Sequence, residues 1–288
     1  MGYQFGQDQV WGLETSAFYL PDHAGGYSTA SDALGNPPIY LPFNNVVTGV
    51  PGSYTISDPL LLGGTSGTLA ISLDSLLWGA DINLTRRLRN LGDGNIEIMA
   101  GFRFLDLEEG LNINAFTNGF VAGIQISALD SFVTTNQFYG GQLGARYRFR
   151  RGDFTAELLG QVALGVTHQA VIVNGVDTES GAGAPNPGTF PGGIFSQQSN
   201  IGVQVHDVFS VVPHAQIKFG WDFSSQLRVT AGFDFLYWNQ VVRPGDQVDT
   251  TIDMTQANGG PPAARPGPLF NRSDLFVYGA SVGLEWRR

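Results

Sequence analysis

The side chains best suited to acid–base or nucleophilic catalysis near neutral pH are the four histidines, His23, His168, His206 and His214. Such catalysis needs a histidine within hydrogen-bond reach of a carboxylate or a hydroxyl group. His206 and Asp207 are neighbours in the sequence, but neighbours on a strand point to opposite faces of a sheet. We therefore predict no catalytic residue and no enzyme activity.

Metal-binding patterns are equally weak. The chain has no cysteine, which excludes disulfides, thiol catalysis, thiolate-bound zinc and iron–sulfur clusters. It also lacks His-x-x-x-His and calcium-loop motifs. Asp246, Asp249 and Asp253 could collect Ca²⁺, but their spacing is loose. We predict neither a metal nor a cofactor.

Composition narrows the classes of fold. Charged residues are 14% of the 288 residues and Lys218 is the single lysine, whereas an average soluble domain has about 25% charged residues. Helical surfaces need Lys and Glu, so a helical bundle or a doubly wound α/β enzyme is disfavoured. The net charge of −10 disfavours nucleic-acid binding, because phosphate contacts need clustered cations. No apolar run reaches the roughly 18 residues of a transmembrane helix.

Alternation of apolar and polar residues recurs along the whole chain and predicts strands of about 10–16 residues. In 227–241 the apolar face runs from Leu227 to Val241, opposite Arg228 and Asp234. Soluble strands average about five or six residues, whereas a tilted strand needs about 9–11 to cross a bilayer. The sequence therefore predicts an all-β, antiparallel transmembrane barrel, with a soluble β-sandwich as a distant alternative.

Short and long connections alternate between the predicted strands. The short turns lie near 7–9, 88–94, 150–153 and 224–225, and the long connections are 21–68, 107–137, 170–207 and 243–273, with a small hairpin predicted at 111–116. Outer-membrane barrels have short periplasmic turns and long outer loops. The long connections are mostly acidic and the turns are rich in arginine, so we expect an acidic outer rim and a basic periplasmic rim.

The strand count bears on closure of the barrel. We count about nine strands, the first a stub at 2–6, whereas bacterial barrels have an even number. Unpaired strand edges are costly in lipid. We therefore expect residues 2–288 to be a single barrel domain of about 10–12 strands when complete, with its N-terminal strand or strands and a signal peptide outside this chain.

The two faces of the strands predict where each side chain points. We expect polar positions to line the lumen and apolar positions to face lipid. The predicted pore-lining residues are Glu14, Asp81, Glu97, Arg103, Gln142, Arg146, Arg148, Glu157, Gln161, His214, Lys218, Arg228, Asp234 and Glu285. The predicted lipid-facing residues are Phe219, Trp221, Phe233, Phe235, Tyr237 and Trp286. In a wide pore the charges form opposed walls, and in a narrow one they pair and plug the lumen.

The stretch Arg243-Pro-Gly-Asp246 directly follows a predicted strand. Its proline and glycine predict a turn. On one interpretation it anchors a loop, and Asp246 holds backbone amides or Arg243. On the other the loop folds inward, and Arg243, Asp246 and Asp249 constrict the mouth of the barrel.

Six phrases resemble a known family. They are 101–111 (GFRFLDLEEGL), 138–144 (FYGGQLG), 162–168 (VALGVTH), 211–214 (VVPH), 235–246 (FLYWNQVVRPGD) and 282–286 (VGLEW). In this order they resemble the putative β-barrel porin family, type seven, of planctomycete-type outer membranes, from about residue 10 to the C-terminus. The resemblance implies an outer-membrane barrel and supplies no catalytic residue. Family members have a signal peptide and further strand sequence before the point where this chain begins.

Together these observations predict an exported porin-like protein of the cell outer membrane. Small hydrophilic solutes or ions would diffuse passively through its charged lumen, with a mild cation preference from the acidic rim. The alternative is a plugged structural or surface-display barrel whose long loops bind partners. Besides solutes or cations, the expected partners are outer-membrane lipid and the barrel-insertion machinery, which would recognise the C-terminal strand ending at Trp286.

Overall fold

The computed structural model describes residues 2–5, 10–22, 24–91, 93–120, 123–184 and 186–286, and β-strands dominate it. The strands are β1 (Gly2–Phe5), β2 (Trp11–Leu20), β3 (Gly25–Ala30), β4 (Ile39–Asn45), β5 (Pro51–Ser57), β6 (Thr65–Leu91), β7 (Gly94–Gly119), β8 (Gln125–Arg151), β9 (Phe154–Ser180), β10 (Gly188–Pro191), β11 (Gly202–Asp222), β12 (Leu227–Val242), β13 (Thr251–Ile252) and β14 (Arg272–Trp286). Short 3₁₀ helices are Leu61–Gly63, Pro244–Gln247 and Met254–Gly259. Among the described residues, no helix is long and apolar enough to cross a membrane.

The main sheet has the strand order β1-β2-β6-β7-β8-β9-β11-β12-β14, and all neighbours in it are antiparallel. Short strands β3 and β10 add to β6 and β9. The predicted all-β antiparallel architecture is confirmed. Closure is not observed, because within the described residues the end strands β1 and β14 do not pair with each other. These two strands run in the same direction, so direct closure would have to be parallel.

Four central strands are much longer than the sequence predicts. β6, β8 and β9 have 27 residues each and β7 has 26. The predicted connection 107–137 is therefore largely strand, since β7 continues to Gly119 and β8 begins at Gln125. The predicted hairpin at 111–116 is wrong, because these residues lie within β7. Most of the predicted connection 170–207 also belongs to strands.

The reason for this difference is an inversion of the alternation along each long strand. In β7, Glu97 and Arg103 point to the buried face and Phe102 to the exposed face. Further along, the buried face is apolar, with Leu111 and Ile113 7–8% exposed. A pattern with polar residues inside thus becomes one with apolar residues inside, in an unbroken strand. When a strand is predicted from one continuous apolar face, its predicted end falls at this inversion.

A second, smaller sheet covers the halves of the long strands that lie away from the short turns, which we call the outer halves. It has the order β13-β4-β5, with β4 antiparallel to β5 and parallel to β13. Together with the long strands and the 188–200 segment it encloses a group of buried apolar residues, which we name the outer core. The outer core comprises Ile39, Leu41, Phe43, Ile56, Leu69, Leu111, Ile113, Ala115, Ala128, Phe132, Val171, Val173, Ile194, Phe195, Val242 and Ile252. The predicted loops 21–68 and 243–273 therefore carry ordered strands.

Candidate functional site

Contacts between distant strands show that the main sheet is strongly curved. Arg146 on β8 binds both carboxylate oxygens of Glu14 on β2, with N–O distances of 2.6 and 2.7 Å. Two strands, β6 and β7, separate β2 from β8 in the sheet order. Similarly, Arg103 on β7 lies 3.2 Å from Nδ1 of His214 on β11. One face of the sheet is therefore concave, and we call the space that it encloses the interior.

A first ionic cluster occupies the interior near the turn-side ends of the strands. Arg146 binds Glu97 at 3.2 Å and approaches Glu157 at 3.4 Å, in addition to Glu14. Arg148 bridges the same two carboxylates, at 2.6 Å from Glu157 and 3.2 Å from Glu97. The charges of this cluster lie on β2, β7, β8 and β9, and they pair with one another.

A second polar cluster surrounds Arg103, which is 1% exposed. Its guanidinium donates to both oxygens of Asp81, at 2.7 and 2.9 Å, and to Gln161 at 3.1 Å. His214 is also 3.7 Å from Asp234. Gln142 and Asn83 form a further buried hydrogen bond of 2.7 Å in the interior.

The remaining predicted pore-lining charges lie near one end of the interior. Arg228 is 3.4 Å from Asp222 and 3.8 Å from Glu285, and Lys218 is 3.5 Å from Glu285. All fourteen predicted pore-lining side chains thus lie on the concave face of the sheet. The five cations among them each lie within 4 Å of a carboxylate. Their part in a pore stays a prediction, and the geometry matches pairing rather than two opposed charged walls.

An apolar group fills the middle of the interior, between the Arg103 cluster and the outer core. We name it the middle core, and it comprises Leu77, Leu105, Leu107, Phe138, Ala163, Val212, Leu236, Trp238 and Val241. Phe138 and Trp238 are fully buried, and their ring centroids lie 6.1 Å apart. The indole N–H of Trp238 donates to Thr167 at 3.0 Å. This group was not predicted from the sequence, although Leu105 and Phe138 share the parity of the polar face.

The chain after β12 turns into the interior. Gln240 has a φ of 61° at a bulge in β12, where the register to β14 shifts. The bulge buries Val241 completely, so its predicted outward orientation is wrong. Beyond it, the side chain of Asn136 on β8 bonds both the N–H and the carbonyl of Val242, each at 2.8 Å. We call the segment 243–271 the inner loop.

The predicted constriction residues belong to the inner loop but have separate partners. Arg243 binds both oxygens of Glu109 on β7, at 2.5 and 2.9 Å. Asp246 accepts a hydrogen bond of 2.8 Å from Ser273. Asp249 accepts bonds from the backbone N–H of Gly267 and from Arg265, at 2.7 and 2.8 Å. The loop does fold inward, and its anchor is Glu109 rather than Asp246.

Asp249 and its neighbours do not form a cation site. Burial raises the pKa of Asp249, but the bonds from Gly267 and Arg265 outweigh burial and hold the pKa below its ordinary value. Asp253 is used by the N–H and hydroxyl of Thr255. Within the described residues, no group of three His, Cys, Asp or Glu side chains is arranged to hold a metal ion.

The family model described as putative beta barrel porin-7 matches residues 1–287. The chain belongs to this family. The resemblance inferred from the sequence is thereby confirmed, and the antiparallel sheet is the architecture that a β-barrel porin family requires. A porin family also agrees with a non-enzymatic role. No curated protein and no solved structure matches the chain.

The convex face of this porin-family sheet is apolar near the turn side. The predicted lipid-facing side chains all lie there, with Phe219, Trp221, Phe233 and Trp286 between 46% and 69% exposed. Tyr237 packs on Phe276 of β14, with a centroid distance of 5.0 Å. Contact of these side chains with lipid stays a prediction.

A row of mostly polar side chains forms the border of the apolar part of the convex face, on the side away from the short turns. Strand register aligns Trp78, Asp106, Gln137, His168 and Asp207 across five strands. His168 and Asp207 form a 2.7 Å pair in this row.

The two other histidines among the described residues have different surroundings. His206 packs on Phe270, with ring centroids 4.2 Å apart. His214 belongs to the polar cluster around Arg103. His23 lies outside the described residues, as do the predicted turn 7–9 and residue 6 of the predicted stub.

Proposed function

We propose that this protein is an outer-membrane β-barrel that is closed at rest and admits small hydrophilic solutes or ions passively when its inner loop moves. The observation that carries the closed state is the burial of Leu105, Phe138 and Trp238, each 0% exposed, where β7, β8 and β12 meet in the interior. Water-sized solutes cannot pass a section packed to zero exposure. Passage therefore requires a movement of these side chains, and two of them lie on β7 and β8, the strands to which Glu109 and Asn136 attach the chain at Arg243 and Val242.

The proposed membrane position rests on the convex face. Its apolar part on β9 runs from Phe154 to Val166, just below His168 in the polar row. At about 3.3 Å per residue and a tilt of about 45°, this length spans about 30 Å, the thickness of a bilayer core. Aromatic contacts flank it at both ends, in the groups Trp78–Phe104–Tyr139 and Phe154–Trp221–Phe223. Such girdles mark membrane interfaces in β-barrels.

Two cavities that contain charged side chains, one on either side of the middle core, support passage rather than a permanent seal. The inner one, about 460 Å³, is lined by residues of the Arg103 and Arg146 clusters. The outer one, about 600 Å³, is lined by Asp74, Glu109, Asp246 and Asp274, with Arg243 as its one cation among the lining residues. This excess of carboxylates favours cations at the outer cavity.

Conductance of the refolded protein in planar bilayers tests the proposal. We expect wild type to be mostly closed, and a variant with 244–271 replaced by a short Gly-Ser linker to conduct steadily. Under a salt gradient its reversal potential should indicate cation preference. Glu157→Gln, a change in the interior but away from the loop, is the matched control and should remain closed.

Two outcomes would overturn this account. Stable open steps in wild type would show that the middle core does not close the interior. A silent linker variant that is correctly inserted, as judged by protease protection and far-UV circular dichroism, would show that the barrier does not depend on the inner loop.

A sealed structural or display barrel is the second candidate. The second sheet β13-β4-β5 and the outer core favour it, because they form a packed platform beyond the apolar band. This candidate predicts that neither wild type nor the variant with 244–271 replaced conducts, while the long loops bind partners.

A further inference from the structure

The inner cavity, of about 460 Å³, is lined in part by β2 and β14, two strands that do not pair with each other in the described part of the chain. β14 pairs with β12 on one side only. β2 pairs with β6 on one side, and on the other β1 covers only its first residues, Trp11 to Glu14. Among the described residues, no strand therefore separates 16–20 of β2 from 277–281 of β14.

The residues that line the inner cavity show that it opens between these two strands. On the other strands every lining side chain belongs to the concave face, as Arg103 and Leu236 do. β2 and β14 also contribute side chains of the convex face, which are Ala17, Tyr278 and Ala280. A cavity that touches both faces of two strands passes between them. We call this passage the lateral opening.

The lateral opening lies within the apolar part of the convex face. Strand register aligns Tyr278 with Phe235, Ala215 and Gly160, inside the apolar stretch of β9. On the β2 side the opening is bordered by Tyr19, which is 64% exposed. On the membrane position proposed above, on which this inference depends, the lateral opening faces the hydrocarbon of the bilayer. A molecule that enters through it comes from the lipid phase.

The walls of the inner cavity differ in polarity. The two strands at the opening and their neighbours β6 and β12 contribute apolar side chains, which are Phe18, Leu20, Leu77, Leu236 and Val277. The strands farther from the opening contribute polar side chains, which include Arg103, Gln161 and His214. This division matches a molecule with an apolar chain and a polar head, because ligand sites combine apolar walls with a few placed polar groups.

Arg103 supplies the polar wall with an unused hydrogen-bond donor. This residue is 1% exposed, and its Nε and Nη2 donate to Asp81 and Gln161. Its Nη1 is buried and has no hydrogen-bond partner among the described residues. A buried donor without an acceptor is costly. An oxygen atom of a ligand in the inner cavity would remove that cost.

The charges around the inner cavity favour an uncharged head. The charged groups among the lining residues are three carboxylates and two guanidinium groups, on Glu14, Asp81, Asp234, Arg103 and Arg146. This excess of negative charge disfavours a carboxylate or a phosphate. An ammonium group is also unsuitable, because it cannot accept a hydrogen bond from Arg103. Ester and hydroxyl oxygens can accept one, and a hydroxyl group can also donate to a carboxylate such as Asp234.

We propose that the inner cavity binds a neutral single-chain lipid of the monoacylglycerol class, which enters from the bilayer between β2 and β14. An ester or hydroxyl oxygen of the head accepts a hydrogen bond from Nη1 of Arg103. The acyl chain lies along Phe18 and Leu236 and extends to the lateral opening. The volume of about 460 Å³ falls within the roughly 300–1,000 Å³ of small-molecule sites.

Photoaffinity labelling tests the proposal. The refolded full chain in phosphatidylcholine vesicles is irradiated with a monoacylglycerol that carries a diazirine on its acyl chain, and the labelled residues are identified by mass spectrometry. We expect labels on convex residues such as Phe233, from bulk lipid, and also on the interior residues Phe18 and Leu236. Lysophosphatidic acid with the same diazirine chain should label these interior residues several-fold less, because its head is negatively charged.

Gly279→Leu is the variant that blocks the site. Gly279 lines the inner cavity on β14, and a Cβ at this position would lie in open space, with no atom of the described residues outside its chain neighbours within 4 Å. The leucine therefore fills the cavity without displacing its walls, and we expect interior labels to fall ten-fold or more. Gly160→Leu is the matched control, because Gly160 also has open space but lies on the convex face of β9. It should be labelled as wild type is.

Three results would overturn the proposal. Labels confined to convex residues would show that no lipid enters, whether a further strand occupies the gap or β2 and β14 pair directly. Interior labels that persist in Gly279→Leu would show that they do not report this site. Equal interior labelling by the two lipids would contradict the assignment of an uncharged head. A chain without convex labels would instead contradict the proposed membrane position, and with it entry from the bilayer.

Discussion

Arg103 illustrates how far sequence reasoning reaches at the scale of one residue. Alternation placed it on the polar face of its strand, and the structure places it on the concave face with 1% exposure. Its partners were beyond the pattern, because Gln161 and His214 are 58 and 111 residues away. They meet Arg103 only because the sheet curves. Residue type and parity thus predict the face of a side chain, whereas curvature decides its partners.

Removing the partner of Arg103 should be costly. Asp81→Ala leaves a buried guanidinium without its bidentate carboxylate. We expect the free energy of unfolding in micelles to fall by about 3–5 kcal/mol, measured by urea titration. The double variant Asp81→Ala/Arg103→Met should recover most of the loss, since it removes the unpaired charge.

The control for this prediction is a more exposed ion pair in the same interior. Lys218 and Glu285 are 46% and 43% exposed, so Glu285→Ala should cost at most about 1 kcal/mol. Equal losses in Asp81→Ala and Glu285→Ala would contradict the importance assigned to burial.

At the scale of the element, the predictable part of each strand ends where its alternation inverts. Phe102 is exposed on the convex face, while Leu107 on the opposite parity is buried inside. Beyond the inversion, apolar residues occupy the positions of the strand that were polar before it. Nothing in a single sequence distinguishes this change from the end of one strand and the start of another. The bulge at Gln240 was hidden for a similar reason, since a one-residue shift is a backbone event.

The bulge gives a prediction about backbone strain. Gln240 has a φ of 61°, which costs a non-glycine residue free energy that glycine does not lose. Gln240→Gly should therefore raise the free energy of unfolding by about 0.5–1 kcal/mol. Ala231→Gly, at a regular position of the same strand, should lower it by a similar amount. A loss of stability in both variants would refute the assignment of strain to this position.

At the scale of the whole molecule, family and architecture were predictable, and paired charges in a narrow lumen were one of two alternatives, whereas the apolar filling of the interior was not predicted. The length and alternation of strands such as 227–241 favoured a membrane barrel, and the family match agrees. The filling comes from the inner loop and the middle core, in which Trp238 joins residues of β7, β8 and β9. These contacts link segments distant in sequence, so no local pattern contains them.

The proposed membrane position yields a prediction for the whole molecule. Phe233 lies on the convex face near the middle of the apolar band and is 48% exposed. Phe233→Arg should lower folding stability in lipid bilayers by about 2–4 kcal/mol, the cost of arginine at a bilayer midplane. Leu34→Arg, at a 70% exposed position in the connection between β3 and β4, should change it by less than about 0.5 kcal/mol. Equal effects would place the band elsewhere.

The inner loop also determines the order of assembly. The hydrogen bonds that hold the start of this loop join Asn136 to Val242 and Glu109 to Arg243, and the partners are 106 and 134 residues apart. Contacts of such long sequence separation form slowly, because the intervening chain must be confined first. The long strands β6 to β9 each pair with the strand that follows in the sequence, so their pairing does not depend on such distant contacts. On the proposed membrane position, we therefore expect a newly inserted molecule to pass through a stage in which the long strands are paired and the interior is still unfilled, and during that interval it would let solutes leak across the membrane.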